Sequence, residues 1–327
     1  MKTLLLKLTI SLCILLLLYC ESITHRSRLI KIGVSHPPEH SFVKAARRFG
    51  DHFEKQTKGR YRVKVYASAQ LGNEKEMQEM LTIGTLEATI TGVVNTYEPL
   101  FAVFELPYLY RDREHVKQVN FGPIMQEVAD ALIPKGIRLV GFYENGLRNI
   151  TNSVRPIHSP ADVKGLKIRT PENPAQIETF KALGAIATPL SFSELFTALL
   201  QGVVDGQENP LQNIYTNRLH EAQQYLAMTH HIYNSAYFLV SERFWQTLPA
   251  DDQQTFLSCV TESSEWQLNY MKKLDVELEQ KLKAEGVEFT YPDKNEFEKA
   301  CQPAYEKLCS KLGPKAYEIV RKIKSLK

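Results

Sequence analysis

The chain has 327 residues, of which 43% are hydrophobic and 24% charged, with a formal net charge of +3. That length can bury a large core and divide into two lobes. The charge balance is too small to argue for a nucleic-acid partner, and no basic stripe interleaved with aromatics occurs.

Residues 1–20 read as a targeting leader. Lys2 and Lys7 precede an apolar run from Leu8 to Tyr19. No A-x-A cleavage signal follows; the run ends Leu17-Leu18-Tyr19-Cys20. A cysteine at that point resembles a bacterial lipobox, so Cys20 is the expected lipidation site, although Tyr19 stands where a small residue is usual. An uncleaved anchor or cleavage elsewhere are the alternatives. All three put the rest of the chain outside the cytoplasm. Cys259, Cys301 and Cys309 follow, and an oxidising compartment permits one disulfide and one spare thiol among them. Spacing does not choose the pair.

Leu29–Ser35 is predicted as a strand, broken by His36-Pro37-Pro38-Glu39-His40. Ser41–Lys58 follows as an amphipathic helix stopped by Gly59. Tyr61–Tyr66 alternates as a strand does. Asn73 caps a helix through Leu81, with Glu76 three residues on. Leu86–Thr91 is a third strand, and the strand–helix alternation predicts a parallel sheet covered by helices. Glu98–Tyr110 is apolar and expected to be irregular because of two prolines. Glu114–Pro134 is mostly helical. Ile137–Phe142 and Leu147–Thr151 are two strands, as are Tyr225–Thr229 and Ala236–Val240. Asp251–Glu285 is the longest periodic run, without internal Gly or Pro. At 1.5 Å per residue it reaches roughly 50 Å, more than one lobe. Asn295–Leu326 reads as two helices broken at Gly313-Pro314.

The chain is organised around Gly165–Pro210. Leu166–Arg169 is a short strand, Asn173–Leu183 a helix with Pro174 in its first turn, and Ser191–Gln201 a second helix with Glu194 completing a capping box. Val203-Val204-Asp205 is a short buried strand, and Gly206–Pro210 turns out of it. Polar residues thus gather at the carboxyl ends of both strands, where ligands bind in open α/β sheets. An arginine fork there pairs a carboxylate through two parallel N–H bonds. On spacing alone the plainer reading prevails: Arg169 as a surface strand-end residue and Asn209 as a turn residue.

GLKIRTPENP with LSFSELFTALLQGVVDGQENP changes that balance, because it resembles the solute receptors of tripartite ATP-independent periplasmic (TRAP) transporters, the DctP family. HSFVKAARRFGDHFEKQTKGRYRVKVYASAQLGNEKEMQEMLTIGTLEATI and FYENGLRNITNS extend the resemblance. It is close over Leu29–Ser241 and looser beyond. It implies a two-lobed α/β periplasmic-binding-protein fold with a hinge cleft and a long helix spanning both lobes. The expected division is residues 29–146 plus 235–265 for lobe one, and 147–234 plus 266–327 for lobe two.

The resemblance also implies a carboxylate anchor made by Arg169, with Arg148 and Asn209 assisting and Phe192 packing on the ligand or its arginine. Glu172 and Asn173 lie beside that anchor. Gln207 is a further candidate, and Glu208 is a candidate for orienting an arginine. Lobe one would offer Ser35, His40 and Glu74, whose plainer readings are capping, turn chemistry and a helix-dipole partner; Gly92-Val93 reads better as turn backbone. For Arg148 the plainer reading is a structural salt bridge.

No catalytic residue, metal or cofactor is expected. His36-Pro37-Pro38-Glu39-His40 matches H-x-x-E-H, but the prolines deny it the helix that two-histidine chelation needs. His230-His231 would point to opposite faces of a strand. No nucleophile elbow, P-loop or dinucleotide fingerprint occurs. The expected function is non-enzymatic: an extracytoplasmic receptor capturing an organic acid anion, a sugar acid in particular, for a TRAP membrane permease. A C4-dicarboxylate or sialate-type ligand, a sensor for a signalling protein, and an enzyme on the same scaffold are the rival readings.

Overall fold

Two long strands carry the architecture. In the computed structural model, which describes residues 27–326, β1 (Arg28–Val34), β2 (Tyr61–Tyr66) and β3 (Ala88–Thr91) pair in parallel as their alternation predicts. The next strand, β4 (Ile137–Asn152), is one element where the sequence pattern gives two. The same holds for the later strand Tyr225–Ser241. The pattern is broken at Glu144-Asn145-Gly146, because polar residues and a glycine look like a loop. Here they stay in the ladder by bulging: pairing with Tyr225–Ser241 shifts register at Leu139/Gly141, Glu144/Gly146 and Arg148/Ile150. A bulge bends the strand and re-aims its side chains, and Gly146 takes the left-handed φ of 118° that one of them requires.

Further along, β5 (Lys167–Thr170), β6 (Ile186–Pro189) and β7 (Gly206–Asn209) form a second parallel group. β6 is absent from the sequence reading. The predicted strand Val203–Asp205 is also displaced. Val203 is 50% exposed and lies in a bend, and the strand is the polar Gly206–Asn209, fully buried. Polar residues read as a turn; they tolerate burial because each is hydrogen-bonded. Numbering Tyr225–Ser241 as β8 and Glu288–Thr290 as β9, the sheet order is β2-β1-β3-β8-β4-β7-β5-β6, with β9 on β8. The two parallel groups therefore flank one long antiparallel pair.

The helix predicted at Asp251–Glu285 is Ala250–Ala284, 35 residues. Phe256, Cys259 and Val260 near its start pack in a core with Phe42, Phe49 and Phe238. Leu278 and Leu282 near its end pack in another with Leu195, Ile214 and Leu226. It spans both lobes. The closing helices are Lys294–Leu312 and Pro314–Ser325, as expected. Residues 98–110 are not wholly irregular; Pro99–Glu105 winds as a 3-10 helix capped by the Glu98 carboxylate. Cys259, Cys301 and Cys309 are all buried free thiols, so the disulfide that the compartment permits does not form among the described residues. The leader and Cys20 lie outside the described residues.

Gly206 begins β7 under tight constraint. A Cβ there would stand 2.2 Å from the Thr151 carbonyl oxygen and 2.8 Å from Asn152 Cβ, both on the paired strand β4. Backbone in a ladder cannot move aside, so Gly206→Ala is expected to cost about 1–3 kcal/mol, the usual range for overpacking. Chemical denaturation of the two proteins checks this.

Candidate functional site

Where the two strand groups face each other, two adjoining cavities open, of about 360 Å³ and about 30 Å³. Glu74, Val93, Arg169, Pro171 and Phe192 line both. β5 delivers Arg169 at its end, and Thr170-Pro171 then leaves the sheet. The Arg169 side chain is 2% exposed. Its Nε and Nη2 donate to the Leu190 carbonyl (3.0 and 2.6 Å), and Nη1 has no partner. Phe192 places its ring centroid 5.9 Å from the guanidinium carbon. Among the described residues no carboxylate lies within ion-pair distance of Arg169. Burial, then the neighbouring Arg148, push its pKa down to about 10. It is a buried cation with one nitrogen unpartnered.

Arg148 is different. On β4 it faces β7, and Glu208 answers it. Nε and Nη2 both bond the Glu208 carboxylate, the latter at 2.8 Å, and Nη2 also reaches the Glu208 carbonyl (2.6 Å) and Asn209 Oδ1 (3.1 Å). His231 Nε2 contacts the same carboxylate at 3.2 Å. Burial opposes ionisation of Glu208, but Arg148 and His231 outweigh it and hold the carboxyl below its ordinary value. Arg148 thus makes the structural salt bridge of the plainer reading while also lining the inner cavity, and Glu208 holds its guanidinium.

The other predicted residues sort by depth. Asn209 lines the inner cavity and is held by Arg148, by Asn213 Nδ2 (3.0 Å) and through its own Nδ2 by Gln207 Oε1 (2.5 Å). Gln207 lines neither cavity; it is fully buried behind Asn209 and anchored to Thr151. His40 is likewise buried outside both. Its Nδ1 accepts from Phe42 N–H as a helix cap, and Nε2 donates to Asn213 Oδ1 (2.8 Å). Burial pushes it to about 3, so it is neutral. Ser35 lies beyond Phe192, on a separate cavity of about 340 Å³. Glu74 lines both main cavities, accepts from Thr91 Oγ1 (3.0 Å), and is raised by burial. Glu172 lines the outer cavity, and its carbonyl receives Asn95 Nδ2 (3.0 Å). Asn173 caps the helix Pro174–Ala182. Gly92 and Val93 line the inner cavity.

Sequence reasoning missed His36, Glu105, Asn145 and Gln176, which also line the inner cavity. His36 was visible only as part of a chelation pattern. Its ring stacks on Phe192 at 4.7 Å, and both nitrogens lack partners. Among the described residues no group of three or more metal-binding side chains exists. Glu105 was an acid inside an apolar run, the one available signal. Gln176 Nε2 donates to its Oε2 at 2.8 Å.

With this geometry in place, comparisons identify the lineage. Residues 32–312 match the model for bacterial extracellular solute-binding protein, family 7, DctP. The sialic acid-binding periplasmic protein of Vibrio cholerae is 34% identical over 94% of this chain and 95% of its own length. A TRAP periplasmic solute-binding protein from a Polaromonas species, solved bound to D-erythronate, superposes with a TM-score of 0.88 at 33% identity, covering 92% of this chain and 99% of that one. The sugar acid-binding protein of Advenella mimigardefordensis, in complex with galactonate, gives 0.87 at 31% identity, covering 91% and 98%. The chain belongs to this family and is a TRAP solute-binding protein.

Burial raises Glu105 from 4.5 to about 8, against Arg148 and Asn173 and helped by Glu208 and Glu74. A carboxyl raised on folding binds its proton more tightly in the native state. Its contribution to stability is therefore complete below about 4.5 and is lost as pH rises to about 8. Glu105→Gln, always neutral, should flatten the fall in melting temperature across that window, as melting curves at stepped pH will reveal.

Proposed function

We propose that this protein captures a sugar acid outside the cytoplasm and delivers it to a TRAP membrane permease, without catalysing a reaction. The observation that carries the reading is Arg169: a buried guanidinium lining both cavities, with one nitrogen unpartnered and no carboxylate beside it. An unpaired buried cation is costly, and an incoming carboxylate removes that cost. Arg148 and Asn209 complete the anchor, and the outer cavity receives the polyol chain between Glu74, Glu172 and Phe192. D-erythronate and galactonate, bound by the two structural relatives, have this form. Within the inner cavity the charge of Arg148 is already taken by Glu208. This argues against a second ligand carboxylate there.

Two lobes, residues 29–146 plus 235–265 and 147–234 plus 266–327, would close on the ligand by bending the long strands. Contacts across that division include His36 with Phe192, His40 with Asn213, Glu105 with Gln176 and Asn95 with Glu172. The permease's ion gradient would drive transport.

Thermal shift against aldonates, uronates and their neutral sugars tests the reading. Stabilisation by an acid and none by its neutral counterpart is expected; stabilisation by the neutral sugar alone would refute the anchor. Arg169→Ala should lose about 3–5 kcal/mol of binding, the cost of leaving a buried charge unpaired. Arg169→Lys should also bind weakly in calorimetry, since a point charge does not replace the fork.

A further inference from the structure

The inner cavity has needs that a carboxylate does not meet. Asn145 Oδ1 and Gln176 Oε1 are buried without hydrogen-bond partners, on side chains 5% and 1% exposed. The orientation of Asn145 follows by elimination. Arg148 Nη1 donates to Asn234 Oδ1 (3.1 Å), and a guanidinium only donates, so the oxygen of Asn234 must face it. Asn145 meets that same oxygen and must present its NH₂ to it. Its own oxygen is thereby left as a bare acceptor, on a residue that lines the cavity together with Arg148 and Arg169. Gln176 gives its NH₂ to Glu105 and likewise keeps an oxygen free.

These two oxygens are acceptors. A carboxylate has no hydrogen to give them, and neither has a ketone. A hydroxyl has one. Asn145 shares Asn234 with Arg148, so its side chain sits next to that of the assisting arginine. We propose that Asn145 Oδ1 accepts a hydrogen bond from the hydroxyl on the carbon next to the ligand carboxylate, making the receptor selective for 2-hydroxy sugar acids over their 2-deoxy and 2-keto counterparts. Gln176 Oε1 takes a hydroxyl further along the chain. This rests on the sugar-acid reading above and narrows it. Glu105, held neutral by burial, adds no negative charge to repel the anion.

The test is calorimetric titration of the mature protein with matched probes: galactonate, gluconate and erythronate, each beside its 2-deoxy form, and gluconate beside 2-ketogluconate. An unmade bond to a buried acceptor costs roughly 10- to 100-fold in affinity. The 2-hydroxy member of each binding pair should lead by that factor. Asn145→Ala should bring the ratio within a pair towards one, whatever it does to affinity overall. Gln176→Leu should weaken both members alike and leave the ratio standing. Equal binding within pairs by the unaltered protein overturns the proposal while the receptor reading stands, and this comparison needs no variant to fold. A ratio that survives Asn145→Ala, or collapses only in Gln176→Leu, also overturns the assignment. If no acid in the series binds, the sugar-acid reading fails and this inference fails with it.

Discussion

A guanidinium without a counterion, sealed from water, is the constraint that the cleft is built around. Arg169 has its positive charge fixed by chemistry, since even its lowered pKa of about 10 keeps it protonated at neutral pH. The protein supplies it with a carbonyl and an aromatic face, which orient the fork but do not neutralise it. Everything nearby is consistent with reserving that charge. Glu208 is committed to Arg148. Glu74 and Glu105 are biased toward the protonated form by burial. The cleft is thus dense in polar atoms yet short of competing negative charge, the condition under which an external anion gains most.

Arg148 shows how the same residue type serves differently when a partner is built in. Its bonds to Glu208 and Asn209 join β4 to β7, and His40, through Asn213 to Asn209, extends the chain to the opposite group of strands. Second-layer residues such as Gln207 and Thr151 fix the amide of Asn209 from behind. Pre-organisation of this kind lowers the conformational cost of binding.

Much of this was legible in the sequence, for definable reasons. Helices with strong caps and periodicity were read within a residue or two: Asn73 with Glu76, Asn173 with Pro174, and the run from Asp251. Arg148, Arg169 and Asn209 came from the resemblance, since spacing alone favoured plainer roles for Arg169 and Asn209 and did not choose for Arg148. What failed was reading polarity as exposure. Glu144-Asn145-Gly146 and Gly206–Asn209 look like turns and are buried strand, because paired polar groups obey a different rule from solvated ones. Which polar residues find partners depends on β4, β7 and β8 meeting, a fact of tertiary structure. His36, Asn145 and Gln176 escaped notice for the complementary reason: they matter because their partners are missing, and no local pattern records that.

The helix Ala250–Ala284 has its ends in two separate cores. Each core takes part of its packing from this helix, so the two cores are linked in unfolding. A receptor made this way behaves as a single cooperative unit: ligand energy gained in the cleft is felt at both ends of the molecule, and damage far from the cleft is paid back as weaker capture. Heat resistance and affinity become two readouts of one shared strut.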